Sequence, residues 1–164
     1  QHLSLSEPIS EARITETLDR LVVNEIMTEG EVHSVDVAAI MQFFQSDLGR
    51  RMLTADKIER EVPFSLALPA KEAYADWDEG EESVLIQGVI DCLMTEKDGL
   101  VLIDYKSDAI KGRFINGFAE AKPILADRYR LQLDLYAKAV RQIRKKPLKE
   151  KYLYFFDGGH LLPM

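Results

Sequence analysis

Two aspartates and a lysine, Asp91, Asp104 and Lys106, sit in the stretch VLIQGVIDCLMTEKDGLVLIDYKSD (residues 84–108), most of whose other residues are typical of strands. A carboxylate in such surroundings is costly to desolvate unless something compensates it. The chemistry open to the trio depends on whether the chain brings the three together. EKDG, between the two apolar runs, carries a hairpin signal. If Asp98-Gly99 is a two-residue turn, Asp91 faces Lys106, with Asp104 diagonal to it on the same face. If the loop is residues 96–99, Asp91 faces Asp104 directly. Side chains alternate along a strand, so all three share one face in both registers; a three-residue loop would separate them. Directly opposed Cβ atoms lie about 4.5–5.5 Å apart, and two carboxylates at that spacing can hold one divalent cation. Without a cation, at least one of two close carboxylates in an apolar surround takes up a proton. A cross-strand ion pair with Lys106 is the plainer alternative. The cation reading also accounts for the second acid.

The elements that must position this trio belong to a chain of 164 residues, long enough for one domain with a substantial core. Its 46% apolar and 30% charged residues are those of an ordinary globular protein. No apolar run approaches the length of a membrane span, and no signal-peptide pattern opens the chain. A single cysteine, Cys92, excludes an internal disulfide and a four-cysteine zinc or iron–sulfur site. A reducing, cytoplasmic setting is expected. The chain opens on Gln1 and is expected to be a piece of a larger protein. The net charge of −7 is opposite to that of a free-standing DNA-binding module.

Along the chain, SEARITETLDRLVVNEIM (residues 10–27) has Ser10 as an N-cap and Ile14, Leu18, Leu21 and Val22 at helical spacing. TEGEVHS reads as a turn, and Ser34 as the cap of a second helix, VDVAAIMQFFQSDLGRRMLTA, broken near Gly49. KIEREVPFSLALPA (residues 57–70) alternates as a strand, with Pro63 marking an edge or a bulge. KEAYADWDEGEES reads as an acidic surface loop. After the two strands around EKDG, GRFINGFAEAKP reads as a connector with one helical turn. A long helix follows from about Ala126 to Lys145, and the strand KYLYFFDGG closes the chain. This order predicts an α/β fold, a mixed central sheet flanked by helices. Residues 1–164 read as a single domain, with a helical segment over 1–55 and the core over 56–164.

Gly88-Val89-Ile90-Asp91 followed by Asp104-Tyr105-Lys106 resembles the G-x-x-D…D-Y-K signature of the PD-(D/E)xK nucleases of the RecB type. QLDLY, Gln132 to Tyr136, resembles that family's Q-x-x-x-Y motif. The likeness runs from about Glu61 to the C-terminus, with the preceding helices compatible. It implies a restriction-endonuclease-like core and metal-dependent phosphodiester hydrolysis that leaves a 5′-phosphate. It implies Mg²⁺ as cofactor, with Mn²⁺ able to substitute, and Asp91 and Asp104 as the metal-binding carboxylates. Tyr105 would add its main-chain carbonyl, its side chain lying on the opposite face. Lys106 would position or activate the attacking water and steady charge on the phosphate. Gln132 and Tyr136, four apart, stack on one helical face with Val140 and Ile143. Spacing alone favours a tyrosine packed into the core; the resemblance sets the pair against the active site and the DNA backbone. The setting implied is a two-subunit helicase–nuclease that processes double-strand breaks for recombination, its motor delivering a single DNA strand and its other subunit being the partner. A relative that keeps the fold as a docking module without cutting is the alternative.

One departure is notable. The family also uses a histidine in a G-T-x-x-H pattern near the start of the domain as a metal ligand, and no such pattern occurs here. His2, in QHLSLSEP, does not match, so the chain is expected to begin after the true ligand, with weak metal binding and poor cutting by this piece alone. His33, in a turn, and His160, beyond the last strand, read as solvated. Arg141, Arg144, Lys145, Lys146, Lys149 and Lys151 read as a solvated helix end, favourable near the negative pole of the dipole. Lys111 and Arg113 could touch phosphates. Tyr74 and Trp77 would pack back onto the body or stack on a base. Glu61, in REVPF, lies near the active face without an assigned role. No G-x-x-x-x-G-K-[ST] occurs, so a motor elsewhere would hold the strand, which reconciles DNA as substrate with the acidic balance.

Overall fold

Side-chain caps divide the first third of the chain into short helices. The structure, a computed structural model, describes residues 2–73, 77 and 82–164. α1 (Glu11–Val23) begins where Ser10 Oγ accepts from the Arg13 N–H at 3.3 Å. The stretch read as a turn holds α2 (Glu29–His33), because Thr28 and Glu31 close a reciprocal capping box. α3 (Val37–Gln45) is capped by Asp36, whose Oδ1 accepts from the Ala39 N–H at 2.9 Å, rather than by Ser34. Before α4 (Asp47–Thr54), Ser46 Oγ accepts from the Gly49 N–H at 3.1 Å. The break therefore falls at Ser46, and Gly49 lies inside α4, where a Cβ would collide with the Phe43 carbonyl.

The sheet has five strands in the order of the chain: β1 (Lys57–Pro69), β2 (Ser83–Glu96), β3 (Gly99–Lys106), β4 (Leu148–Phe155) and β5 (His160–Pro163). β1, β2 and β3 are antiparallel; β4 is parallel to β3 and antiparallel to β5. A four-residue helix, α5 (Ala70–Ala73), follows β1. The crossover between β3 and β4 is α6 (Phe118–Ile143). It starts at Phe118 rather than Ala126. Pro123 lies in its second turn, where the missing N–H forfeits one backbone bond. β5 is an addition to the strands read from the sequence. Gly158 and Gly159, at φ 90° and 66°, turn the chain into it, and His160 opens that strand with its ring stacked on Phe118 at 4.3 Å. Pro63 does lie in an edge strand, opposite Val89, as its lack of a ladder donor requires.

Helices cover both faces, which makes the mixed sheet an α/β core. Leu93, Leu102, Leu153 and Phe155 are buried in one cluster with Leu125, Leu133 and Val140 of α6. Cys92, Met94, Val101, Ile103 and Tyr154 face Phe43, Leu48 and Met52. The β1–β2 ribbon serves both layers by changing face partway. Ile58 packs with the second layer and Val62 with the first, although their positions in an alternating strand should point the same way; Cys92 and Ile90 do likewise. The change falls between the pairs Arg60–Cys92 and Val62–Ile90, where Glu61 takes a left-handed φ of 50°. Among the described residues no helix is long and apolar enough to cross a membrane.

Gly88 lies opposite Phe64, and a Cβ there would meet the ring at 2.8 Å. Gly88→Ala is expected to destabilise the fold by about 1–3 kcal/mol through overpacking. Urea unfolding checks this, and the cost should shrink in a Phe64→Leu background, as a double-mutant cycle reads directly.

Candidate active site

The hairpin adopts the second of the two registers. Glu96 pairs with Gly99, so Lys97 and Asp98 form the turn and Gly99 opens β3. The Asp98-Gly99 turn is not formed, because the glycine meets another need. The Leu100 N–H donates to the Pro147 carbonyl at 2.8 Å, and a Cβ on Gly99 would lie 2.9 Å from that oxygen. Continued one step past its last pair, Cys92–Ile103, this register sets Asp91 opposite Asp104.

The β2–β3 ladder ends at the pair Cys92–Ile103. One residue on, Asp91 Oδ2 accepts from the Tyr105 N–H at 2.9 Å, replacing the backbone acceptor that β2 no longer supplies. The N–H and C=O of a strand residue point to the same neighbour, so the Tyr105 carbonyl enters the gap beside Asp91. The Lys106 carbonyl turns the other way and accepts from the Phe156 N–H at 3.1 Å. The Tyr105 ring lies on the far face against Phe43, 5.5 Å between centroids.

Asp104 is 1% exposed. Lys106 Nζ stands 2.6 Å from its Oδ2, yet off the line of a hydrogen bond, and that oxygen has no hydrogen-bond partner. The ammonium donates instead to Gln132 Oε1 at 3.0 Å. Burial raises the Asp104 pKa above the ordinary carboxylate value; Lys106 opposes this and the nearby Asp91 carboxylate adds to it. Gln132 Nε2 donates to the Tyr136 hydroxyl at 2.8 Å, and the Tyr136 ring meets Phe64 edge-on at 5.4 Å. Burial pushes the Tyr136 phenol up, with Asp104 and Asp91 assisting, so it stays neutral. Phe64 in turn fills the space that Gly88 leaves open. The three sequence motifs are thus joined by direct contacts.

Two carboxylates and one main-chain oxygen make a hard, oxygen-only donor set. The buried Asp104 oxygen without a hydrogen bond fits a small divalent cation that keeps several of its waters. Among the described residues no group of three or more His, Cys, Asp or Glu gathers around such an ion. His2 and Glu61 line, with Asp91 and Tyr105, a largely apolar hollow of about 370 Å³. The left-handed Glu61 backbone carries about 1–3 kcal/mol of strain, and nothing in REVPF signalled it. Sequence reasoning also passed over Tyr129 and Asp108, which meet beside Lys106. Tyr129 is three residues before Gln132 on the same helical face, and that spacing was the signal available.

Other candidates stay apart from this centre. Arg144 pairs with Glu59, Lys149 with Asp98 and Lys151 with Asp134, while Lys146 donates to the Glu96 carbonyl. Lys111 lies 3.8 Å from Asp157, and the Arg113 guanidinium stands 5.8 Å from the Phe114 ring centroid. His33 is exposed at the end of α2. Trp77 is 44% exposed, and Tyr74 lies outside the described residues.

A family model for the PD-(D/E)XK nuclease superfamily matches residues 1–161. The chain is 49% identical over 163 residues to an ATP-dependent helicase/nuclease subunit of Bacillus cereus, and equally so to its namesakes in Bacillus mycoides and Bacillus thuringiensis. Each match covers 99% of this chain and 13% of the relative, so the chain spans about an eighth of their length.

The charges at the centre carry a pH signature. The unfolded chain releases the Asp104 proton near 3.8, whereas the folded protein holds it to higher pH. Its contribution to stability is therefore full below that value and is lost as pH rises through the folded pKa. Asp157 is lowered by the Ile110 and Lys111 N–H groups, so its contribution is lost only as pH falls below the ordinary range. In metal-free buffer, urea unfolding between about pH 4 and about pH 7 should show a component of stability that declines with rising pH. Asp104→Asn should remove that component.

Proposed function

The chain belongs to the PD-(D/E)XK nuclease superfamily, and from that premise we propose that it is the metal-dependent nuclease domain of an AddA-like helicase–nuclease. The observation that carries this reading is Asp91 opposed to Asp104 at the end of a ladder, with the unbonded Asp104 oxygen beside Lys106. Residues 1–164 act as one nuclease domain, with the core over 56–164. The reaction is hydrolysis of DNA phosphodiester bonds during double-strand-break processing and recombination, in the cytoplasm, as an exonuclease acting in steps on a single strand delivered by the motor. The partner of the whole protein is an AddB-like second subunit.

Asp91, Asp104 and the Tyr105 carbonyl would hold the cation, Mg²⁺ with Mn²⁺ able to replace it. When bound, the cation polarises the scissile phosphate and lowers the pKa of its water. The chain's own groups supply the rest. Lys106, directed by Gln132 Oε1, aims its ammonium at the face where the phosphate sits, orients the attacking water and stabilises charge on the phosphoryl oxygens. Tyr136 fixes Gln132 by accepting from its amide nitrogen, and its ring closes the apolar side of the site. Water adds its oxygen to phosphorus as the bond to the 3′ oxygen breaks, giving a 5′-phosphate and a 3′-hydroxyl.

Calorimetric titration with Mn²⁺ and Mg²⁺ is expected to show binding that Asp104→Ala abolishes; unchanged binding in that variant would reject the centre. Lys106→Ala should keep the metal and slow cleavage of linear DNA by the full helicase–nuclease by about 10²–10³-fold, the usual loss of one charge-stabilising group. An unmutated protein that binds metal while its full helicase–nuclease cuts no DNA would favour a docking module. Arg113, beyond the catalytic lysine, contacts a backbone phosphate on this reading. Arg113→Glu should weaken DNA binding evenly across sequences and lower the salt slope by about one.

A further inference from the structure

Lys106 has a third neighbour besides Asp104 and Gln132. Its Nζ lies 4.1 Å from the centroid of the Tyr129 ring, within the range of a cation–π contact. A lysine side chain has four freely rotating bonds and a compact charge, so one hydrogen bond does not fix its direction. The ring face supplies the missing wall. The Lys106 side chain is 13% exposed, and such contacts strengthen when water is excluded.

The ring is itself held from behind. The Tyr129 hydroxyl donates to Asp108 Oδ2 at 2.6 Å, and Arg128 Nη1 donates to Asp108 Oδ1 at 2.7 Å. Asp108 follows Lys106 by two residues, so the segment that leaves the catalytic strand ties down the ring beneath the catalytic lysine. Tyr129 and Gln132 lie three apart on α6 and reach the ammonium from one helical face. Tyr129 also touches the core, 6.4 Å from Phe155 between centroids. Core filling alone, however, calls for neither a hydroxyl bonded to a carboxylate nor an ammonium on the ring face.

We propose that Tyr129 is a positioning residue for Lys106, its ring face locking the ammonium between Asp104 and Gln132 while Asp108 and Arg128 lock the ring. The catalytic consequence rests on the nuclease reading above; the placement of the lysine does not. Nuclear magnetic resonance of this chain reads the placement directly, because protons on Lys106 Cε above an aromatic face are shifted upfield by the ring current. That shift is expected in the wild type, should shrink in Tyr129→Phe, which keeps the ring face but loses the bond to Asp108, and should vanish in Tyr129→Leu. In the full helicase–nuclease, Tyr129→Leu should lower kcat about tenfold with KM little changed. Tyr129→Phe, which restores the ring face without the tether to Asp108, should restore part of the rate. Mn²⁺ affinity measured by calorimetry should not move, since the metal-binding carboxylates are untouched. If Tyr129→Leu does not fold, Asp108→Ala frees the ring from behind and should shrink the same upfield shift. An unshifted Lys106 in the wild type overturns the proposal, as does a Tyr129→Leu enzyme with the wild-type kcat. A shifted lysine in a protein whose full assembly cuts no DNA supports the placement and overturns the nuclease reading instead.

Discussion

A buried carboxylate without a hydrogen bond on one oxygen is the feature around which this face of the sheet is arranged. Taking a carboxylate out of water costs several kcal/mol, even after relaxation. Asp104 sits at 1% exposure with Lys106 beside it, which on its own would be a tolerable ion pair. The opposed Asp91 changes the balance. A second carboxylate adds negative charge that one ammonium cannot neutralise, and the Lys106 proton donors are directed partly to Gln132. The pair is least costly when Asp104 is protonated or when a cation lies between the acids. An ion-pair reading gives Asp91 only its bond from the Tyr105 N–H to offset the added charge; a cation reading also gives that charge a use.

The geometry follows from one local irregularity. β1 and β2 change the face they present at Glu61 and Asp91, and from that point β2 no longer supplies β3 with backbone acceptors. Asp91 fills the vacancy with its own carboxylate and is held against β3 by the Tyr105 N–H. The strain at Glu61 and the end of the ladder are thus two aspects of one distortion. A regular ribbon would satisfy its backbone and close the gap. The departure from regularity opens it, which is the sense in which local strain belongs to a site.

What the sequence made legible was whatever depended on alternation. Asp91, Asp104 and Lys106 share a face in both registers weighed, so their meeting did not depend on which turn formed. Gly99 left the choice of turn open because glycine serves close approach as readily as it serves a turn, and the Pro147 carbonyl that approaches it is distant in sequence. The start of α6 was missed because Pro123 and Gly117 both read as breakers, although one lies in an early turn and the other before the first residue. β5 has four residues and takes its meaning from pairing with β4, which local pattern does not reveal. Tyr129 was passed over because a tyrosine on a buried helical face is usually core. Only the lysine above it and the carboxylate behind it mark it as more, and both depend on the tertiary fold.

The distribution of charge bears on how such a centre meets its substrate. In sequence the basic cluster at the end of α6 reads as a solvated helix end that could also touch phosphates. In the fold much of it is taken up internally, Arg144 by Glu59, Lys149 by Asp98 and Lys151 by Asp134. The first two pairs fasten the end of α6 and β4 to the β1–β2–β3 part of the sheet, the third ties β4 to α6, and the chain as a whole carries a net charge of −7. Affinity for nucleic acid comes chiefly from cations. On the proposed reading, a catalytic domain of this kind gains by not holding its substrate. A strand fed by a motor needs a centre that engages one phosphate strongly, through a cation and a fixed lysine, and the flanking chain weakly enough to let it advance.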